Sequence, residues 1–385
     1  MYELAKLHGI SLDEPVRELL AENAVVAIGV SGGKDSDVLA LRLRRFLDAI
    51  NHRGERVLIH SDLGEIEHAD SLPTCERLAA AVEMQLMVVK PVRPMIERWQ
   101  TRWANNTNRY CALSTVKLIT PWSSSALRFC TSDQKVAPIV KNLKKRFPGK
   151  SIVNAVGIRA EESRARAGKP ISKPNAELTV KTKGMRGLDW NAIRDLKIED
   201  VWLTHRRENF KPHEGYEKNN NTRISCSACV LASESEILAS LRDERNHRAY
   251  RRTVELEISS TYSFSQSFYL GDVRPDLLAP EALARLAAAK ERAVARRYIE
   301  KRIPRELWFI KTDFPAFQPS MEQAELLAGV RREIGALMSL PVQHTTARQV
   351  YDRYAELLEI KTLKQAKLNK KRRPDSQPPQ NTLFD

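Results

Sequence analysis

The chain has 385 residues, 42% of them apolar and 29% charged, which is enough hydrophobe for a buried core and excludes wholesale disorder. Its 63 Lys and Arg against 48 Asp and Glu leave a net charge of +15, which points to a polyanionic partner: nucleic acid, nucleotide or an acidic membrane surface. No apolar run approaches the length of a membrane span, and the start Met1-Tyr2-Glu3-Leu4 lacks a basic-then-apolar signal layout. The expected location is therefore cytoplasmic, with no membrane partner. Five cysteines without an export signal argue against a disulfide framework and raise metal or redox use.

Residues 11–24 read as a short helix, with Ser11 and Glu14 spaced as a capping box. The run from Val25 to Val30 is short, apolar and β-branched, which predicts a strand buried on both faces. Ser31-Gly32-Gly33 breaks it, and Leu39, Leu43, Phe46, Leu47 and Ile50 then recur at helical spacing. Further strands are predicted at 56–60, 86–89 and 151–157, with a helix around 72–82. This alternation implies an α/β class with a mostly parallel sheet and helices on both faces. Beyond about residue 230 the pattern is helical only: 279–302, then 322–337 capped by Ser320 and Gln323, then a helix from Thr346 and Gln349 to about Leu363. The expected division is an N-terminal helix (1–24), an α/β domain (25–235), a helical C-terminal domain (236–363) and a disordered basic tail (364–385). Lys361, Lys364, Lys367, Lys370, Lys371, Arg372 and Arg373 put seven bases in thirteen residues, and Pro374, Pro378 and Pro379 follow.

The sharpest chemical feature is Ser31-Gly32-Gly33-Lys34-Asp35-Ser36, directly after a buried strand and before a helix. Two glycines let the backbone approach an anion, and the turn's N–H groups and the helix N-terminus point at it. Ser31 and Ser36 add hydroxyls and Lys34 a charge; Asp35 makes sense beside a metal-bridged phosphate. The spacing is not that of a Walker A loop. The plain alternative is an ordinary Gly-rich strand–helix turn. Arg159, Arg164 and Arg166 follow the strand at 151–157, at the sheet edge where ligands bind, and guanidinium groups there suit phosphate or sulfate oxygens. The alternative is a surface arginine cluster on a basic protein.

These segments resemble the PP-loop ATP pyrophosphatase superfamily, whose signature is Ser-Gly-Gly-x-Asp-Ser, and within it the phosphoadenosine-phosphosulfate (PAPS) reductase-like family. His60-Ser61-Asp62-Leu63-Gly64 stands where that family has Asp-Thr-Gly, with Leu63 a departure. Phe129-Cys130-Thr131 with Lys135 and Pro138 is similar to its Cys-x-x-x-Lys-x-x-Pro stretch. The run from Gly157 to Arg166 is similar to its Gly-x-Arg-x-x-Glu-Ser-x-x-Arg, and Arg223 to Cys229 to its closing Cys-x-x-Cys segment. The resemblance covers about residues 24–235. It implies an adenine-nucleotide alpha-hydrolase-like fold that binds ATP with Mg²⁺. The implied nucleotide contacts are Ser31, Gly32, Gly33, Lys34, Asp35, Ser36, Asp62, Gly157, Arg159, Arg164 and Arg166, with Lys34, Asp35 and Ser36 in the chemistry.

Cys226 and Cys229 have Cys-x-x-Cys spacing, which chelates a metal in some proteins and leaves two free thiols in others. The resemblance adds Cys130 as a third ligand and leaves Cys111 as a candidate fourth, for an iron–sulfur cluster or, alternatively, zinc. Cys75 reads as a small buried hydrophobe. Authentic sulfonucleotide reductases carry a catalytic cysteine in a C-terminal Glu-Cys-Gly-x-His segment; after Cys229 this chain has no cysteine. The expected activity is therefore cleavage of ATP to AMP and pyrophosphate to adenylate an acceptor, with sulfur transfer to nucleic acid as in DNA-phosphorothioation relatives. The rivals are a sulfonucleotide reductase that uses an external thiol and acts on an adenylyl sulfonucleotide, and a non-catalytic nucleotide sensor. Gln380-Asn381-Thr382-Leu383-Phe384 resembles the Gln-x-x-Leu-Phe peptides that dock on the bacterial sliding clamp. The alternative is a polar tail with a chance apolar pair.

Overall fold

The computed structural model describes residues 1–180, 182, 184–309 and 314–372. The chain forms two compact units: Met1–Arg98, Trp122–Glu257 and Ser263–Ala279 in the first, and Trp99–Pro121, Ile258–Tyr262 and everything from Pro280 in the second. This differs from a boundary at residue 235. Residues 99–121 join the helical unit, and most of 236–279 stays with the sheet. The period of an amphipathic segment does not say which core it feeds.

The first unit holds six strands: β1 (Val25–Gly29), β2 (Arg56–Ser61), β3 (Gln85–Val89), β4 (Ile152–Ala155), β5 (Ser172–Pro174) and β6 (Gly187–Trp190). Their order is β3-β2-β1-β4-β6-β5, with every neighbouring pair parallel except β5 with β6. Val26 and Ile28 enter one core with Leu39, Leu43, Phe46 and Trp190. Val25 and Ala27 enter another with Val57, Ile59 and Leu143. Successive strand residues point to opposite faces, and both faces are covered, which is why β1 reads as an unbroken apolar run. Strands β5 and β6 were not expected: one is three residues long with a proline, and the other, Gly-Leu-Asp-Trp, lacks a β-branched residue.

Helix α1 (Glu14–Ala21) is capped by Asp13, whose carboxylate accepts from the Val16 amide. Ser11, the expected cap, instead donates its hydroxyl to Asp195. Helices α2 (Lys34–Ala49) and α3 (Ser71–Val82) follow β1 and β2, and α4 (Ile198–Arg207) follows β6. The chain builds β1, β2 and β3 in one direction and β4, β6 and β5 in the other. The C-terminal ends of β1 and β4 therefore flank the point where strand order reverses, the ligand crevice of open parallel sheets.

The second unit packs α5 (Pro280–Glu300), α6 (Met321–Met338) and α7 (Ala347–Arg372) around Tyr110, Leu327, Ile334, Val350, Tyr354 and Leu357. The Ser320–Gln323 capping box is present, with reciprocal bonds of 3.0 and 3.1 Å. Helix α7 runs past Leu363 to Arg372, so the first part of the basic stretch is helical. Lys, Gln, Ala and Leu sustain a helix, and Pro374 is the first residue that opposes it. The Gln380–Phe384 peptide lies outside the described residues. Among the described residues no helix is long and apolar enough to cross a membrane.

Candidate functional site

The Ser31–Ser36 loop leaves β1 in the crevice and becomes the first turn of α2, with Gly33 at the N-cap. Gly32 has φ of +72°, and a Cβ there would meet the Ser71 carbonyl oxygen at 2.7 Å, so only glycine fits. The Ser31 amide donates to Ser36 Oγ (3.2 Å), and Ser36 Oγ donates to the Gly33 carbonyl (2.8 Å), which fixes the turn. Among the described residues nothing accepts from the amides of Gly32 and Gly33. Gly157, just past β4, presses on the same turn: a Cβ there would lie 3.1 Å from Asp35 O and Ser36 N. Ser31, Gly33, Asp35, Ser36 and Gly157 line one cavity of about 290 Å³. That cavity combines free backbone donors, a helix N-terminus and the Ser31 hydroxyl, which together make an anion cradle, while the Ser36 proton is held by the Gly33 carbonyl.

Lys34 is placed differently. Its amide donates to Tyr216 Oη (3.0 Å), and its ammonium donates to the Thr222 carbonyl (3.1 Å) and lies 3.4 Å from Asp35. Its side chain therefore faces a second cavity behind the loop. The arginines also divide. Arg159 is buried and donates to Asp35 Oδ1 at 2.6 Å and Glu161 at 2.7 Å. Burial works against its charge, but Asp35 outweighs this and raises its pKa. Arg159 holds Asp35 in place and does not line the anion cavity. Arg166 does line it, paired with Glu162. Arg164 is exposed and lies outside it. Asp62 caps its own turn, accepting from Gly64 N–H at 2.8 Å and pairing with Lys90 at 3.1 Å.

Cys130, Cys226 and Cys229 line the same cavity as the loop, with Arg128, Lys135 and Arg223. The thiol of Cys226 is enclosed by its surroundings, and this burial pushes it up to about 12; Lys135 opposes the shift and the other two cysteines add to it. Three thiols are the right donor set for a soft metal. Yet among the described residues no group of three or more His, Cys, Asp or Glu side chains is gathered to hold an ion. The three sulfurs share a cavity without forming a ligand set, and no step through a metal is derived. Cys111, the candidate fourth ligand, belongs to the second unit and is not among the cavity's lining residues.

No protein-family model matches the chain, and no curated protein matches it. Solved structures are similar over part of it, among them two enzymes. One is a phosphoadenylyl-sulfate (PAPS) reductase from Candida auris in a phosphate complex: 14% identity, TM-score 0.34, covering 55% of this chain and 85% of that one. The other is the U34-tRNA thiolase NcsA from Methanococcus maripaludis with its [4Fe-4S] cluster: 15% identity, TM-score 0.35, covering 68% and 81%.

Three features carried no clear sequence signal. An apolar cavity of about 460 Å³ adjoins the loop, lined by Val30, Ile59, Val136, Val156 and Ile158 with Asn154 and Asp189 among its polar groups. Its lining is spread over β1, β2, β4, β6 and the 131–140 segment, which only the fold brings together. His60, at its edge, faces Val30 O (3.1 Å) and Glu67 (3.3 Å). Asp37 is fully buried in α2, and neither carboxyl oxygen has a partner among the described residues. Burial, then the neighbouring Asp35, raise its pKa well above the carboxylate range, so it is held neutral beside the anion cradle.

Proposed function

We propose that the chain is a PP-loop-type enzyme that binds Mg·ATP, breaks its α–β phosphate bond and adenylates an acceptor, with nucleic acid as acceptor and sulfur transfer as the next step. The observation that carries this reading is the Ser31–Ser36 cradle at the β1/β4 reversal, flanked by an apolar cavity on one side and three thiols on the other. The purine nucleoside occupies the apolar cavity, and its phosphates lie over the free amides of Gly32 and Gly33 and the Ser31 hydroxyl, with Ser36 Oγ turning its proton from the Gly33 carbonyl to join them. An acceptor oxygen attacks the α-phosphorus, and pyrophosphate leaves with the electron pair of the broken bond. Arg128 and Lys135, which form no ion pair among the described residues, stabilise that departing charge. Lys34 joins them by exchanging the Thr222 carbonyl for a phosphate oxygen. One of Cys130, Cys226 and Cys229, loaded as a persulfide by a persulfide donor, attacks through its outer sulfur and displaces AMP, and a second of these thiols then forms a disulfide with the first and releases the thiolated product. The test is pyrophosphate release from Mg·ATP with and without an oligonucleotide. Lys34→Ala is expected to lower ATP binding or turnover at least tenfold, about 1.4 kcal/mol or more. No pyrophosphate from the wild-type chain would end the adenylation reading.

A further inference from the structure

A cavity of about 720 Å³ lies behind the loop in the first unit, and apart from Lys34 and Thr222 its lining has no role in the chemistry above. One wall is helix α4, which presents Trp202, His205 and Arg206; the other is formed by Tyr216, Asn221 and Thr222. Three properties of this lining point the same way. Aromatic rings crowd it: Trp202 packs edge-on to Tyr216 at 5.3 Å and tilted on His205 at 5.6 Å. Cations rim it: Arg206 and Lys211 are exposed and form no ion pair among the described residues, against one exposed carboxylate in the lining, Glu217. One acceptor is orphaned: Asn221 is 7% exposed, and its Oδ1 has no partner among the described residues. A buried amide oxygen without a donor is costly, and a ligand N–H or O–H would relieve it.

A ligand that is aromatic, carries hydrogen-bond donors and is anionic matches all three. We propose that this cavity takes one nucleotide of single-stranded nucleic acid, its base against Trp202 and within reach of Asn221, its phosphate at Arg206 and Lys211. The strand must be single, because a base lodged among these rings has left its stack. The inference rests on nucleic acid being the acceptor and gives it a docking point. Tyr216 lines both this cavity and the thiol cavity, so a strand held here lies against the reaction site.

The test is fluorescence anisotropy of short labelled DNA and RNA oligonucleotides at low salt, with ATP affinity measured alongside. Trp202→Leu and the double variant Arg206→Ser/Lys211→Ser are each expected to weaken oligonucleotide binding at least tenfold and leave ATP affinity unchanged. The double variant alters exposed side chains only, so it decides the matter if Trp202→Leu fails to fold. Wild-type affinity in the folded variants overturns this site while leaving nucleic acid as acceptor. Failure of the wild-type chain to bind either oligonucleotide overturns both. Binding of free AMP that Trp202→Leu abolishes, without oligonucleotide binding, overturns the strand in favour of a mononucleotide.

Discussion

Both ring nitrogens of His60 face acceptors: Nδ1 the Val30 carbonyl at 3.1 Å, Nε2 the Glu67 carboxylate at 3.3 Å. Neither partner can donate, so the ring keeps both protons and is an imidazolium. Burial opposes this charge, but hydrogen bonding with Cys75 and with Glu67 outweighs it and pushes the pKa to about 10. The charged groups around it are Glu67, whose carboxylate also accepts from the Leu63 amide, and Asp62; the Cys75 thiol lies 3.7 Å away on α3. A histidine whose folded pKa exceeds its ordinary 6.5 contributes stability that is full below that value and lost as pH rises through about 10. The wild-type melting temperature is therefore expected to fall steadily from neutral pH toward about 10, and that of His60→Gln to start lower and fall less. Parallel curves for the two proteins would show that His60 is neutral. Because Val30 is the last residue before the loop, His60→Gln is also expected to loosen the cradle and weaken ATP binding.

At the scale of elements, the site depends on how closely the turn after β4 approaches the first turn of α2. A methyl at Gly157 would sit 3.1 Å from Asp35 O and Ser36 N, backbone atoms that cannot rotate aside. Gly157→Ala is expected to cost about 1–3 kcal/mol of stability, as overpacking does, and to weaken ATP binding more than a distant mutation of equal cost. Urea unfolding paired with ATP titration measures both, and an unaltered variant would show that the two turns do not share the strain. The loop and the central strands were legible because their causes are local: a buried parallel strand must be continuously apolar, and a phosphate turn needs adjacent glycines. Arg159 was legible only as a base near a strand end. Whether its guanidinium meets a ligand or a carboxylate is decided by Asp35, 124 positions away. Tyr216 bonding the Lys34 amide across 182 residues, and Lys34 turning behind the loop with it, had no local cause to read. Strands β5 and β6 exist because β4 offers an edge to pair, not because their own residues favour a strand.

For the whole molecule the question is where the excess charge resides. The second unit holds about a third of the residues, yet 23 of the 63 Lys and Arg and only 13 of the 48 Asp and Glu, a net of +10 out of +15. Several of its acids are already matched within it: Glu333 by Arg302, Glu325 by Arg332, Asp352 by Arg348 and Glu356 by Arg353. On α7 the last core residue is Leu357; Lys364 and Lys367 are exposed, Lys364 with its ammonium 4.8 Å from the centre of the Phe314 ring. Lysines on a solvated helix normally serve solubility alone, and the distinction lies in the salt dependence of binding. Each phosphate neutralised by a base adds about 0.7–0.9 to the slope of log affinity against log salt. A chain ending at Leu363 loses six bases and two acids but no core residue. It is expected to keep its melting temperature and its ATP affinity, while the salt slope for oligonucleotide binding drops by several. A second chain ending at Pro379 keeps every base and loses only Gln380–Phe384. It is expected to bind oligonucleotides as the full chain does and to lose any binding to a sliding clamp. An unchanged slope in the chain ending at Leu363 would leave the bases beyond it a solubilising surface and put the nucleic-acid contacts in the residues before it.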